Sequence, residues 1–258
     1  MLHRALLLGV CLGLAAGAAS AQSIELEGRY WGPTLTSTVK VTGGQTGLPN
    51  GIDQLDLKSD LGVKDENLHD WRVNLATGPH SRLRVGYVSM DYHGDRDVER
   101  TIVFNGQTYA VGTRVLTDLS LKYWRYGWIW QFLHDPAGIV KFGTVVEAKT
   151  VDVDAALAAP ALAPPVDERK KFTATLPSLG LALDIDPTPR VNVYAEATGI
   201  SAGKHGYLVD AEGGLKLRPL PGFSLLVGYR YLDIDAKDDP DFAKLREAGP
   251  FVGASLKL

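Results

Sequence analysis

From Ser23 onward, apolar and polar residues alternate with a period of two along most of the chain. Successive side chains of a strand point to opposite faces, so this alternation predicts β structure with one greasy wall and one polar wall. The clearest stretch runs from Leu121 to Leu133. One parity holds Lys122, Trp124, Tyr126, Trp128, Trp130 and Phe132, and the other holds Tyr123, Arg125, Gly127 and Gln131. An aromatic wall of that size needs an apolar medium. Either it fills the inside of a soluble barrel of the lipocalin kind, or it faces lipid and leaves the arginine in a lumen.

The same period gives about ten strands, with eight or twelve as alternatives. In the first, Ile24, Leu26, Gly28 and Tyr30 oppose Glu25, Glu27, Arg29 and Trp31, and the strand runs on through Val39 and Val41. Trp71, Val73 and Leu75 then oppose Arg72 and Asn74, while Leu83, Val85 and Tyr87 oppose Arg82, Arg84 and Gly86. Later strands repeat the pattern around Val140–Ala148, Leu179–Leu183, Val191–Ala197, Val209–Leu217, Leu225–Tyr231 and Pro250–Leu258. Collected over the strands, the polar wall contains Glu25, Glu27, Arg29, Arg72, Arg82, Arg84, Arg125, Lys141, Glu147, Lys149, Glu196, Asp210, Glu212, Lys216 and Arg230. The apolar wall carries the aromatics Trp71, Tyr87, Trp124, Tyr126, Trp128, Trp130, Phe132, Tyr229 and Tyr231.

Connections alternate in length. Gly78-Pro79-His80, His134 to Gly138, Asp186 to Pro189 and Pro219 to Gly222 read as tight turns. Thr42 to Glu66, Gly94 to Thr113, Ala158 to Pro165 and Asp233 to Glu247 read as longer loops, the second holding a hairpin signal at Asn105-Gly106. Tight turns at one end and longer loops at the other, with an even strand count, describe an all-β fold. It is a single up-and-down antiparallel transmembrane β-barrel with periplasmic turns and extracellular loops.

The first residues agree with export. His3 and Arg4 precede an apolar run from Ala5 to Ala16, and Ala19 and Ala21 stand as the small residues of a cleavage site. Twelve apolar residues fall short of the about 20 a membrane helix needs. Residues 1–21 are therefore expected to be a signal peptide, and residues 22–258 an outer-membrane barrel domain. Removing those 21 from 258 leaves 237 residues, whose charge shifts from −3 to −4 with the loss of Arg4. Cys11, the sole cysteine, leaves with the signal, which excludes disulfides and thiolate chemistry in the mature chain. No basic block stands out, so a nucleic-acid partner is not expected.

At the C-terminus, Phe251-Val252-Gly253-Ala254-Ser255-Leu256-Lys257-Leu258 resembles the assembly signal that small outer-membrane β-barrel proteins of Gram-negative bacteria present to the barrel-insertion machinery. The last residue of that signal is usually Phe or Trp, and here it is Leu258. The resemblance extends over the whole mature chain. It implies the outer membrane, lipid contact and handling by that machinery, and it implies no one activity.

Candidate chemistry is sparse. Asp91-x-His93 looks like the Asp-x-His pair that the omptins, ten-stranded barrel proteases, carry near the barrel mouth, with Asp152 and Asp154 or Asp233 and Asp235 as acidic partners. No nucleophile elbow, zinc helix or phosphate loop is present, so no cofactor or metal is expected. The expectation is a structural or narrow-pore protein without catalysis, its lumen filled by paired charges. The alternatives are an omptin-like surface hydrolase using Asp91 and His93, or an adhesin-like barrel whose loops Thr42 to Glu66 and Gly94 to Thr113 bind a ligand.

Overall fold

The computed structural model describes residues 23–41 and 54–258; the expected signal peptide and the first part of the expected Thr42 to Glu66 loop lie outside the described residues. In chain order the strands are β1 (Ile24–Trp31), β2 (Thr34–Lys40), β3 (Leu68–Gly78), β4 (Ser81–Asp97), β5 (Ile102–Phe104), β6 (Gln107–Tyr109), β7 (Arg114–His134), β8 (Val140–Ala159), β9 (Val166–Thr188), β10 (Val191–Ser201), β11 (Gly206–Leu220), β12 (Phe223–Asp238) and β13 (Asp241–Lys257). β1 and β2 form one stave broken at Gly32-Pro33, since both pair with β13. β5 and β6 form a separate hairpin, with Asn105 and Gly106 both at positive φ as a two-residue turn requires.

The remaining strands are antiparallel to their neighbours, and β1 pairs with both β3 and β13, so ten staves close on themselves. Closure leaves no sheet edge in the lower half of the wall, the condition for β structure in lipid. Ile24 and Leu258 exchange backbone hydrogen bonds at the turn end, which places both ends of the described barrel there.

The staves are longer than a membrane needs. Along β13 the apolar outward run from Ala248 to Leu256 is nine residues. At ~3.3 Å per residue and ~40° of tilt, it covers roughly 23 Å, close to the apolar band of outer-membrane barrels. β7 has 21 residues, for which the same arithmetic gives roughly 50 Å. The extra length stands above the band as a turret.

In the turret the two walls exchange character while the parity of the strand is unchanged. Going up β7, the outward residues change from Phe132, Trp130, Trp128, Tyr126 and Trp124 to Lys122, Ser120 and Asp118. The inward ones change from Gln131, Gly127 and Arg125 to Tyr123, Leu121, Leu119 and Val115. β4 does the same between Tyr87 and Ser89 outside and between Arg84 and Val88 inside. β12 changes between Tyr231 and Asp233 outside, and between Arg230 and Leu232 inside. The expected arrangement, apolar outside and charged inside, therefore holds for the lower half of the barrel and is reversed in the upper half.

That reversal corrects several boundaries. Asp233 to Glu247 is not a loop but the tops of β12 and β13, joined at Asp239-Pro240, and β4 runs on to Asp97. The Asn105-Gly106 hairpin does not project from the barrel. Val103 is buried, and Ile102, Phe104 and Tyr109 are packed with Leu55, Leu57, Leu61 and Val63 into an apolar core that fills the turret. A side chain at Gly94 would collide with the Leu61 carbonyl oxygen, so glycine there lets the plug segment lie against β4. Above Leu179, β9 pairs only with β8. Its upper edge carries Arg169, Lys170, Lys171 and Pro177, residue types that discourage edge-to-edge pairing.

Candidate functional site: a lumen sealed at two levels

Because Arg29, Arg72, Arg84, Arg125, Lys149 and Arg230 lie on inward positions of six different strands in the band, closing the barrel brings them together. Glu27, Asp70, Glu147, Glu196, Asp210 and Glu212 share the same space, and all twelve are buried. Six cations face six carboxylates, which is the balance a confined interior requires, since an unpaired charge there is costly.

The pairing is dense. Arg72 makes a two-pronged bond to Glu212 at 2.7 and 2.6 Å and donates to Asp70 at 2.7 Å. Arg84 holds Glu196 the same way at 2.5 and 2.9 Å. Arg230 bridges Asp210, at 3.1 and 2.9 Å, and Asp70, at 2.9 Å. Asp210 also accepts from Tyr123 at 3.0 Å and Arg125 at 3.3 Å, and lies 3.6 Å from Lys149. Arg29 donates to Glu212 at 3.0 Å and Glu27 at 2.5 Å. Two guanidinium groups are covered by aromatic faces, Arg29 by Phe251 at 4.5 Å and Arg230 by Trp31 at 4.8 Å. Glycine makes room for the belt: a Cβ at Gly127 would sit 2.9 Å from Glu147 Oε1.

Of the fifteen charges read from the polar wall, eleven belong to this belt. Glu25, Arg82, Lys141 and Lys216 lie below it at the turn-end mouth, where Lys216 pairs with Glu25 and Lys141 reaches Asp186 at 2.9 Å. Asp70 was missed because it follows His69 at a strand start, although it shares the parity of Arg72. The outward aromatics stand on the apolar band, where Tyr87 packs against Trp124 at 4.4 Å and Trp128 stacks with Trp130 at 6.1 Å.

Above the belt lies the apolar plug, where the Tyr92 hydroxyl donates to the buried Glu247 carboxylate. The second oxygen of Glu247 has no partner among the described residues. With outward neighbours of Tyr92 being Asp91 and His93, this pair lies above the lipid band. Burial pushes the Glu247 carboxyl up to about 7, with the negative charge of Asp65 on the plug segment adding to the shift. Opening the plug hydrates the group and returns it to the ordinary range near 4.5. Stability of the closed plug is therefore full below about 4.5 and is lost as pH rises through about 7. Protection factors at Leu55–Val63, corrected for the intrinsic rise of amide exchange with pH, should be higher at pH 5 than at pH 8, and Glu247→Gln should remove the difference. Equal protection at both pH values in the parent protein would refute this.

The hydrolase constellation does not assemble. Asp91 and His93 occupy outward positions of β4, on the outer wall of the turret instead of its mouth. Asp91 is bonded by Ser89 at 2.9 Å and Ser120 at 2.6 Å, and His93 contacts Asp118 at 2.6 Å. Asp154 is held by Arg169 at 2.6 and 2.5 Å, Asp152 accepts from Thr173, and Asp233 pairs with Arg246, all on the same outer wall. A strand's outward residues cannot face the lumen, so the pair has no acidic partner across a cleft. Among the described residues no cluster of three or more His, Cys, Asp or Glu has metal-binding geometry.

No protein-family model matches the chain, and no curated protein does. Solved structures do match. The outer membrane protease OmpT from Escherichia coli is 8% identical, with 95% of this chain and 100% of that chain covered and a TM-score of 0.55. The translocator domain of the autotransporter NalP from Neisseria meningitidis is 11% identical over 98% and 94% of the two chains, with a TM-score of 0.49. Ail, the attachment invasion locus protein of Yersinia pestis, is 12% identical over 93% and 100%, with a TM-score of 0.41. At 8% identity the likeness to OmpT carries the fold alone, a closed β-barrel of the outer-membrane type, whose ten staves follow from the strand pairing of this chain.

Proposed function

We propose that this protein is a non-conducting structural barrel of the bacterial outer membrane, anchored by its lower half and presenting a rigid turret above the lipid. The observation that carries this reading is the double obstruction of the lumen: a neutral, densely paired charge belt in the band and an apolar plug above it. A pore needs a continuous hydrated path, and a salt-bridged belt of fixed forks leaves none. Of the segments named as ligand-binding loops, the described parts are largely packed into the mouth, so the contact surface of the turret is its polar outer wall. Barrel-insertion machinery would act on the C-terminal strand during assembly, and residues 1–21 would be cleaved on export.

Purified protein in a planar bilayer should be silent, without stepwise current at any holding potential. Steady, reproducible conductance steps that survive repurification would overturn the reading in favour of a narrow pore.

A further inference from the structure

Beneath the charge belt the lumen widens toward the turn end into a blind cup. Three adjoining cavities make it up. One of about 150 Å³ lies against the belt, one of about 190 Å³ beside the β3–β4 turn, and one of about 480 Å³ beside the β9–β10 and β11–β12 turns. Arg82 lines the first two, Lys257 the last two, and Glu25 all three.

The charge balance of the cup differs from that of the belt. The largest cavity is lined by Arg190, Lys216, Arg218 and Lys257 against the single carboxylate of Glu25. That carboxylate is already engaged by Lys216 and, at 2.6 Å, by Ser255. Arg218 leans on Asp186 at 3.0 Å, a carboxylate it shares with Lys141. Arg82 comes no closer than 3.7 Å to Asp184, which Gln131 occupies at 2.7 Å. Arg190 and Lys257 form no ion pair with any described residue. In the belt, where charge is structural, every cation is matched; in the cup, three cations are held loosely or not at all around a cavity of ligand size.

We propose that this cup binds a compact polyanion, bearing two or more carboxylate or phosphate groups, from the periplasmic side. Guanidinium forks at Arg82, Arg190 and Arg218 suit the planar, two-oxygen faces of such groups, and Lys216 and Lys257 add point charges. Because the belt closes the inner end, the ligand is bound and released at the same mouth. The periplasmic assignment rests on the outer-membrane reading above, whereas the binding itself does not.

The test uses the full-length barrel in micelles of an uncharged detergent, titrated calorimetrically with citrate and, separately, with inorganic pyrophosphate. Saturable one-site binding of at least one probe is expected. The double variant Arg190→Gln/Lys257→Gln should weaken it about tenfold or more, as loss of charge-assisted contacts implies. The control Lys122→Gln/Lys204→Gln makes the same charge change at the opposite end and should leave affinity within a factor of about two. The two probes decide whether carboxylate or phosphate is preferred. Absence of saturable binding by both probes, an unaffected cup variant, or an equal loss in the control would each overturn the proposal. Heat-dependent gel mobility confirms that the variants are folded, and the bilayer recording, which reads the seals and not the cup, can fail independently.

Discussion

Replacing Asp210 by alanine is expected to destabilise the barrel by about 3–5 kcal/mol, the cost of leaving buried charges without their partner. Asp210 is where the belt converges: Arg230 holds both its oxygens, and Arg125, Lys149 and Tyr123 lie around it. Its removal leaves three cations competing for Asp70 and Glu147 in a space without room for bulk water. The opposite design shows what the penalty consists of. Arg84 and Glu196 pair chiefly with each other, with Asn74 as a further partner at 3.2 Å. Replacing both by leucine or methionine removes the pair and both desolvation costs together, so the loss should be far smaller, about 1 kcal/mol. Urea titration of the refolded protein in lipid vesicles, followed by the unheated-gel shift, measures both. Should Asp210→Ala cost less than the double replacement, the belt would be hydrated, and its role as a seal would fall with it.

The lower barrel was legible in the sequence because lipid imposes a strict alternation on every strand. Nothing else on the chain forces Trp124, Tyr126, Trp128, Trp130 and Phe132 onto one side and Arg125 onto the other. In the sequence the upper barrel resembles loops for a definite physical reason. There the outer wall meets water, so Asp91, His93, Asp233 and Asp235 sit where the lower strands carry aromatics, and a run of polar residues resembles a loop. The usable signal lay in the other parity: Val88, Met90 and Tyr92, or Leu232 and Ile234, continue the inward positions without a break. The plug was not legible at all. Leu55, Leu57, Leu61 and Val63 belong to no regular strand, and what buries them is the closed wall, which forms from residues far away in the chain. Likewise, the list of lumen charges was readable by parity, but their partners were not, since Arg72 meets Glu212 and Arg84 meets Glu196 only across the closed cylinder.

The orientation of the apolar band can be tested at two positions with the same substitution. Val227 is an outward residue of β12 in the middle of the band, flanked by Leu225 and Tyr229 on the same face, and it is 45% exposed in the isolated molecule. Arginine there should cost about 2–4 kcal/mol, the penalty for a cation at the lipid-facing midplane of a barrel. Thr173 is also outward and exposed, but it lies on the turret wall beside Asp152. Arginine at that site should change stability by no more than about 0.5 kcal/mol. Both side chains are exposed, and Thr173 gives up only a surface hydrogen bond to Asp152, so a fold standing in water would tolerate both substitutions nearly alike. The difference between the two urea midpoints therefore reads the medium and not the packing. Equal midpoints would mean that no lipid surrounds Val227, and the anchored lower half, with the turret above it, would have to be abandoned. A large penalty at Thr173 as well would instead place the membrane higher and bury the turret. Only a penalty confined to Val227 fits a wall whose outer face changes from lipid to water between Tyr231 and Asp233.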